Sequence, residues 1–312
     1  MWLLLAFISA GLLGLYDTSK KTALKDNAVL PVLFLNTLFC TLLFSPFIFD
    51  SALGAGRFAG TFLDSSPFAG HPGTSGAQDH SLLHAHMLVA IKSVIVLSSW
   101  IFGYFGMKHL PLTIVGPINA TRPVLVLVGA VLFFGERLNG YQWAGVILAL
   151  FSIMLLSRSS RKEQVDFRHN RWIWCIAAAA VLGAVSGLYD KYIMGQLGPM
   201  FVQSWYNLYQ LLMMGTVCIA LWYPNRKKTT PFRWSWSIPL ISIFLSAADF
   251  AYFTALNQPD SMISVVSLIR RGSVVVSFLC GALILHEKNL KAKAADLVLI
   301  IIGMVFIWIG SK

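Results

Sequence analysis

The sequence predicts an all-α membrane protein with ten transmembrane helices, arranged as two inverted five-helix repeats. Three observations lead to this fold class. Hydrophobic residues make up 57% of the 312 residues and charged residues only 12%, too little polar surface for a soluble domain of this length. Ten apolar segments have about the length that crosses a bilayer, which is roughly 20 residues. Polar residues also recur in the same order in the two halves of the chain.

Apolar runs bounded by charged or turn-forming residues give the ten helices. They are predicted at 1–19, 30–49, 86–107, 111–134, 139–157, 172–193, 200–222, 236–256, 261–285 and 294–310. The longest interruption, 50–85, is rich in Gly, Ser, Pro and His and predicts an exposed loop. No basic segment precedes the first apolar run and no small-residue cleavage site follows it, so we expect it to be retained as a membrane helix.

The repeat is visible at polar positions. Gly14-Leu15-Tyr16-Asp17 in the first helix recurs as Gly187-Leu188-Tyr189-Asp190 in the sixth, and Arg122 in the fourth helix matches Arg270 in the ninth. These matches predict a first repeat at 1–157, a basic connecting loop at 158–171 and a second repeat at 172–312. Because each repeat has an odd number of helices, the second copy would enter the membrane from the opposite side. Inverted repeats of this kind let a transporter open a central site to each side in turn.

The formal charge of +11 does not indicate nucleic-acid binding, because the basic residues lie between the apolar segments. The loops after the odd-numbered helices carry 16 Lys and Arg residues, whereas the other side, with both termini, carries four. Basic loops face the cytoplasm in membrane proteins. We therefore expect an inner-membrane protein surrounded by lipid, with both termini outside.

Four basic residues remain within apolar segments, namely Lys92, Arg122, Arg270 and Arg271. Arg122 and Arg270 would lie near mid-membrane, where an arginine is costly unless it faces a wet cavity or a partner. Two interpretations are open. The guanidinium groups could bind a carboxylate or phosphate of the substrate, or they could pair with Asp249 in the eighth helix.

Two repeat-related acids, Asp17 and Asp190, could titrate in an ion-coupled cycle, and Lys92 is a third candidate for coupling. Neighbouring lysines favour interfacial salt bridges instead, with Lys20 and Lys21 near Asp17 and Lys191 beside Asp190. Further polar and aromatic side chains at interior depth could line a substrate site. They are Tyr104, Tyr252, Trp100, Asn36, Asn207 and Tyr206.

Prolines inside the fourth helix, Pro117 and Pro123, predict a kink or local unwinding near Arg122. This could expose backbone groups to a substrate, or it could be a static kink that shapes packing.

A histidine cluster at His80, His84 and His86 could ligate a metal, which would favour an intramembrane metal-dependent enzyme as the alternative function. A solvated loop is the better interpretation of these histidines, and we expect neither a metal nor a cofactor. The four cysteines fall inside apolar segments, as small buried residues do.

Two segments resemble the signature of EamA-type ten-helix proteins of the drug/metabolite transporter superfamily. The first runs from Pro123 to Phe134-Gly135-Glu136-Arg137-Leu138, and the second runs from Val274 to Leu285 and His286-Glu287-Lys288. In the second copy His286 replaces the glycine. The resemblance implies a basket of helices around a central cavity and movement of small metabolites, amino acids or drugs without ATP. It also implies that Glu136 and Glu287 support the fold at a helix–helix turn.

These observations together predict a secondary transporter of a small organic metabolite, with a preference for anionic or amino-acid-like groups. The sequence contains no Gly-x4-Gly-Lys-Ser/Thr loop, so an ion gradient, exchange or the gradient of the substrate itself would supply the energy. The direction of transport, the coupling ion and the choice between monomer and homodimer stay open at this stage.

Overall fold

A computed structural model describes most of the chain. The described residues are 1–24, 27–61, 63–68, 82–109, 118, 121–158, 171–224, 226, 230–273, 275–276, 279–280 and 290–310. Within these ranges the regular structure consists of helices, without strands. The α-helices are α1 (Trp2–Leu24), α2 (Val29–Leu53), α3 (Leu82–His109), α4 (Arg122–Phe134), α5 (Gly140–Arg158), α6 (Arg171–Met194), α7 (Pro199–Val217), α8 (Ser237–Leu256), α9 (Ile263–Arg271) and α10 (Leu290–Gly310). A π-helical turn, Cys218–Trp222, continues α7.

Several helices are long and apolar enough to cross a membrane. Among the described residues, five segments meet this condition by length and composition: Trp2–Leu24, Val29–Leu53, Leu82–Gly103, Arg171–Met194 and Ser237–Leu256. A helix of 20 residues is about 30 Å long, which is the thickness of the hydrocarbon core. Large apolar side chains such as Leu42, Phe49 and Ile91 are exposed on the outer faces of these helices, as expected where lipid is the solvent.

The first long loop is shorter than the predicted interruption at 50–85. Helix α2 continues to Leu53 and ends at Gly54, whose φ of 60° is a left-handed conformation that glycine adopts without strain, while α3 already begins at Leu82. The buried carboxylate of Asp50, near the end of α2, accepts hydrogen bonds from the Arg57 backbone N–H at 2.8 Å and from the Ser65 hydroxyl at 2.6 Å. This carboxylate therefore fixes the described part of the loop to the end of α2.

Asp64 organises the other side of this loop. Burial acts to raise the pKa of the Asp64 carboxyl, but hydrogen bonds from the backbone N–H groups of Ser66 and Gly60 hold that pKa below its ordinary value. Asp64 is consequently ionised at neutral pH and connects Gly60 with Ser66.

Two of the predicted helices are interrupted within the described residues, and each interruption lies beside an arginine. The described helix α4 begins at Arg122 rather than at 111, with Pro123 in its first turn, where the missing N–H of proline removes no intrahelical bond. Pro117 lies outside the described residues. Helix α9 ends at Arg271, a turn follows at Gly272, and the described residues from 273 to 280 are helical again. Arg122 and Arg270 therefore lie in the terminal turns of short helices.

The chain forms two compact units. Unit 1 contains Met1–Ser93 and Asp190–Pro259, and unit 2 contains Val94–Tyr189 and Asp260–Lys312. Each unit therefore takes segments from both halves of the sequence.

In unit 1, α1 packs along α8, and α2 packs on α7 and α8. Polar side chains connect these helices: the buried Ser9 hydroxyl donates to the Ala248 carbonyl at 2.7 Å, and the Ser242 hydroxyl donates to the Asn36 side-chain oxygen at 3.0 Å. Ala23, Val32, Ile238 and Ile241 form a buried apolar cluster between the same helices.

In unit 2, α4 packs on α9 and α5 on α10. Gly135, with φ of 62°, ends α4 and is followed by Glu136. The Glu136 carboxylate accepts hydrogen bonds from the backbone N–H of Ile263 at 2.6 Å and of Ser264 at 3.2 Å, and from the Ser264 hydroxyl. These N–H groups begin α9 and have no intrahelical acceptor, so Glu136 caps a helix far away in sequence. The structural role predicted for Glu136 is confirmed, whereas Glu287 lies outside the described residues.

Candidate coupling and substrate site

A buried ion pair is the main electrostatic feature of unit 1. The Lys92 ammonium on α3 contacts a carboxylate oxygen of Asp190 on α6, and the two residues are only 2% and 6% exposed. Lys92 lies halfway along the candidate span Leu82–Gly103. Inside an apolar helix either charge alone would be costly, so each residue makes the ionised state of the other tolerable.

Three aromatic residues of unit 1 complete the surroundings of this pair. The Tyr252 hydroxyl donates a hydrogen bond of 3.3 Å to the second carboxylate oxygen of Asp190. The Lys92 ammonium lies 4.6 Å from the centre of the Tyr206 ring and 4.8 Å from that of the Phe253 ring, within cation–π range. Helices α3, α6, α7 and α8 thus bring one cation, one anion, one phenol hydroxyl and two ring faces together.

The sequence singled out Lys92 and Asp190 separately but did not pair them. The interpretation of Asp190 as an interfacial salt bridge with Lys191 is wrong in its partner and its depth. Asp190 is buried against Lys92, while the Lys191 ammonium donates to the Leu256 carbonyl at 3.3 Å. Neighbours in a helical sequence point in different directions, so adjacency predicted the wrong contact.

A polar face of α7 continues this site. Gln203 donates to the Ser246 carbonyl at 2.8 Å, Gln210 donates to the Ser93 carbonyl at 2.9 Å, and both amides are 1% exposed. Asn207 lies between them, and its backbone carbonyl accepts the Thr41 hydroxyl at 3.0 Å. The two glutamines were not predicted as site residues. The two glutamines are seven residues apart, so they share a helix face with Tyr206 and Asn207. This spacing could have identified them from the sequence.

Three other predicted site residues lie in unit 1, namely Asn36, Asp249 and Asp17. Asn36 is buried between α2 and α8, where its oxygens accept the Ser242 hydroxyl, so its described contacts connect helices. Asp249 on α8 is half-buried. Asp17 on α1 is exposed, and the neighbouring Lys20 ammonium lies over the Tyr16 ring at 5.4 Å.

Arg122 is the main cationic group of unit 2. Its terminal nitrogen donates to the Ala179 carbonyl on α6 at 3.1 Å, and the same carbonyl accepts the Ser99 hydroxyl at 2.9 Å. The guanidinium lies against Gly183, where an added β-carbon would overlap it. The Nε atom is buried and has no hydrogen-bond partner among the described residues. The side chain is thus held against α6 with donor capacity left over.

The remaining arginines of unit 2, Arg270 and Arg271, are half-buried in the last turn of α9. Positive charge there complements the partial negative charge of a helix C-terminus. Asp249 belongs to unit 1, and its pairing with Arg122 or Arg270 stays a prediction. Trp100 is half-buried on α3, whereas the side chain of Tyr104 lies outside the described residues.

The histidine cluster receives no support as a metal centre. Among the described side chains, no group of three or more His, Cys, Asp or Glu could hold a metal ion. His80 lies outside these residues and His84 is exposed. The His86 Nδ1 atom is 3.0 Å from the Tyr209 hydroxyl, and its ring packs edge-on against Trp205 at 4.3 Å. All four cysteines are free thiols; Cys40 is buried, as predicted, whereas Cys175, Cys218 and Cys280 are only half-buried.

Comparison with known proteins agrees with this architecture. The model of the EamA-like transporter family matches residues 1–158 and 170–309. A search of the curated proteins finds no match. One solved structure, described only as the crystal structure of a protein, is 16% identical in sequence and superposes with a TM-score of 0.67. The superposition covers 98% of this chain and 94% of the other chain. At this identity the likeness shows the fold alone. The family match spans nearly the whole chain, and the protein therefore belongs to the EamA-like transporter family, multi-pass membrane proteins of the drug/metabolite transporter superfamily.

Proposed function

We propose that this protein is a secondary transporter that moves a small organic metabolite across the inner membrane by alternating access, without ATP hydrolysis. The Lys92–Asp190 pair is the observation that carries the proposal. A fold that needed only stability could fill this position with apolar side chains at little or no loss. An ionisable pair inside a membrane helix bundle instead suits a cycle in which charge is exchanged with a substrate or an ion.

Asp190 is the coupling residue in this proposal. Its carboxylate can be neutralised by Lys92, by a proton or by a cation from solution, and the carrier can couple transport to whichever of these it exchanges. The Tyr252 hydroxyl holds the second oxygen, so the carboxylate keeps its orientation while its cationic partner changes.

The packing pairs within each unit support the inverted repeat. If helix n of the first repeat corresponds to helix n + 5 of the second, α2 corresponds to α7, α4 to α9 and α5 to α10. Each of these pairs is in contact within its unit. The α1–α8 contact in unit 1 has its counterpart in unit 2, where Ser99 of α3 donates to Ala179 of α6. This symmetric pairing is what exchange between two mirrored conformations requires.

The substrate in this proposal has an anionic or amino-acid-like group that Arg122 binds, with Arg270 as its counterpart in the second repeat. The half-buried Arg122 guanidinium has a buried Nε without a described partner, which can donate to a carboxylate, and Arg is the side chain best shaped for that contact. The short helices α4 and α9 place both arginines at helix ends, where the backbone is also able to contact a ligand.

Uptake into proteoliposomes across a panel of radiolabelled metabolites tests the proposal. A library screen for thermal stabilisation of the purified protein selects the panel, since a bound ligand raises stability by mass action. We expect saturable flux of at least one solute above protein-free liposomes. Asp190→Asn should lose this flux, whereas Asp260→Asn, at an exposed turn, should keep it. No flux above the liposome background for any stabilising solute would contradict the proposal.

A further inference from the structure

We propose that Lys92 is a tethered occupant of a site built for a free ammonium group, and that the substrate carries a primary ammonium which displaces Lys92 from Asp190. This inference rests on the proposed function and adds a substrate class to it.

The surroundings of the Lys92 ammonium are those of an ammonium receptor. Asp190 supplies a carboxylate oxygen, and the Tyr252 hydroxyl holds the other oxygen at 3.3 Å. The Tyr206 and Phe253 rings present their faces at 4.6 and 4.8 Å. A carboxylate combined with aromatic faces is the chemistry by which proteins bind organic ammonium ions. We call these four side chains the ammonium cage.

A carrier has a physical reason to fill such a cage with its own lysine. When the substrate leaves, the buried Asp190 carboxylate loses the substrate cation, and loss of a charge partner in a buried site is costly. Lysine suits the task because its charge is a compact point on a flexible four-carbon stem. Lys92 can therefore withdraw when the substrate ammonium arrives and return when it leaves, so that the empty carrier stays neutralised.

The position of Lys92 also accounts for release. A tethered ammonium competes as an intramolecular ligand, and such ligands act at effective concentrations in the millimolar range. The substrate consequently binds more weakly than an open cage would allow, and it can dissociate on the far side of the membrane. Removal of the lysine should therefore tighten binding of a free ammonium ion while it impairs turnover.

Two substitutions at Lys92 separate a cage from an ordinary ion pair. Lys92→Ala removes the ammonium together with three methylene groups, the size of n-propylammonium, and leaves the cage open. Lys92→Met also removes the charge but fills the same space with an apolar side chain. Both variants leave Asp190 without Lys92, so the loss of the ion pair affects them alike.

The experiment measures thermal unfolding of the purified variants in detergent with n-propylammonium chloride, with 1-propanol and potassium chloride as controls. We expect n-propylammonium, at about tenfold its Kd, to raise the unfolding midpoint of Lys92→Ala by about 2–4 °C. Neither control solute should do so, and Lys92→Met and Lys92→Ala/Asp190→Asn should show no shift. Equal shifts in the Ala and Met variants, or none in Lys92→Ala, would overturn the ammonium cage.

If Lys92→Ala does not fold, inhibition of flux in the wild-type protein tests the ammonium cage instead. Alkylammonium ions should then inhibit the flux of its transported solute competitively, whereas alcohols of equal length should not. Flux of a solute without an amino group, unaffected by alkylammonium ions, would overturn this inference and leave the proposed transporter intact. Propylammonium binding without any measurable flux would support the cage and count against the transporter.

Discussion

Asp190 and Lys92 lie 98 positions apart, on different helices, yet their contact determines the chemistry that unit 1 offers. Either residue alone would destabilise the fold at its position, because a single buried charge is far more costly than a buried pair. The surrounding rings of Tyr206 and Phe253 add attraction that a solvent-exposed pair would lack. At the scale of residues, the described part of unit 1 thus places a buried cation and a buried anion in direct contact, and the proposed exchange of cations would take place there.

A double-mutant cycle tests whether the pair acts as one unit. Lys92→Met and Asp190→Leu should each lower the free energy of unfolding by about 3–5 kcal/mol, because each leaves an uncompensated buried charge. The double variant should be more stable than either single variant, since it leaves no charge behind. Unfolding in detergent measures all four proteins, and strictly additive losses would show that the contact is energetically unimportant.

A second prediction concerns Arg122. Gly183→Ala places a methyl group where the guanidinium lies, so it should displace Arg122 from the Ala179 carbonyl and lower substrate flux with little change in folding. Gly187→Ala is the matched control one turn along α6, because its added methyl would meet only Val126, at an ordinary 3.8 Å. Flux and unfolding midpoint are measured for both variants, and equal flux in the two would exclude a role for this position of Arg122.

Single-residue roles were only partly predictable from the sequence. Burial of a basic residue in an apolar segment singled out Lys92 and Arg122, because charge in such a segment is rare and needs a reason. Their partners were not predictable. Asp190 was assigned to its neighbour Lys191, and the Ala179 carbonyl that Arg122 contacts carries no signal in the sequence. Contacts between distant helices depend on rotation and register, which hydropathy does not determine.

At the scale of elements, the predicted ten helices correspond to the ten described α-helices, but several ends differ. Apolar length predicts that a helix exists, whereas local chemistry decides where it stops. Gly54 ends α2, Pro123 lies in the first turn of α4, and Gly272 follows the end of α9. Helices α4 and α9 each have an arginine in a terminal turn, so a helix end and a positive charge occur together in both sequence repeats.

The Glu136 cap should determine how firmly α9 is held. Glu136→Ala removes the acceptor for the Ile263 and Ser264 N–H groups, and loss of a cap of this kind costs about 0.5–2 kcal/mol. Hydrogen–deuterium exchange at these two amides should become faster, while exchange in the middle of α2 should not change. Arg137→Ala, at the exposed neighbouring position, serves as the control. Unchanged protection of α9 in Glu136→Ala would show that the cap contributes nothing.

At the scale of the whole molecule, membrane orientation follows from the distribution of basic residues. The count of 16 against four Lys and Arg predicts that both termini lie outside. Alkaline phosphatase fused after the C-terminus should be active, and green fluorescent protein fused there should be dark. The opposite pattern of reporters would contradict the predicted orientation but not the predicted inverted repeat, which could insert either way up.

The division into two units adds what the repeat alone did not predict. The sequence repeat divides the chain at about 158–171, but each compact unit contains segments of both repeats, and Lys92 and Asp190 come from different repeats within unit 1. A conformational change of the whole carrier would thus act on a pair that joins the two halves. This is the arrangement in which an ion pair can respond to alternating access.

The most direct measurement compares two kinds of flux in the same proteoliposomes for the wild-type protein and Asp190→Asn. One is accumulation of the transported solute driven by an imposed ion gradient, and the other is exchange of labelled for unlabelled solute without any gradient. If Asp190 exchanges its cation during transport, Asp190→Asn abolishes both accumulation and exchange, because the carboxylate that binds the cation is gone, whereas Asp260→Asn keeps both. Gradient-driven accumulation at the wild-type level in Asp190→Asn would contradict the account.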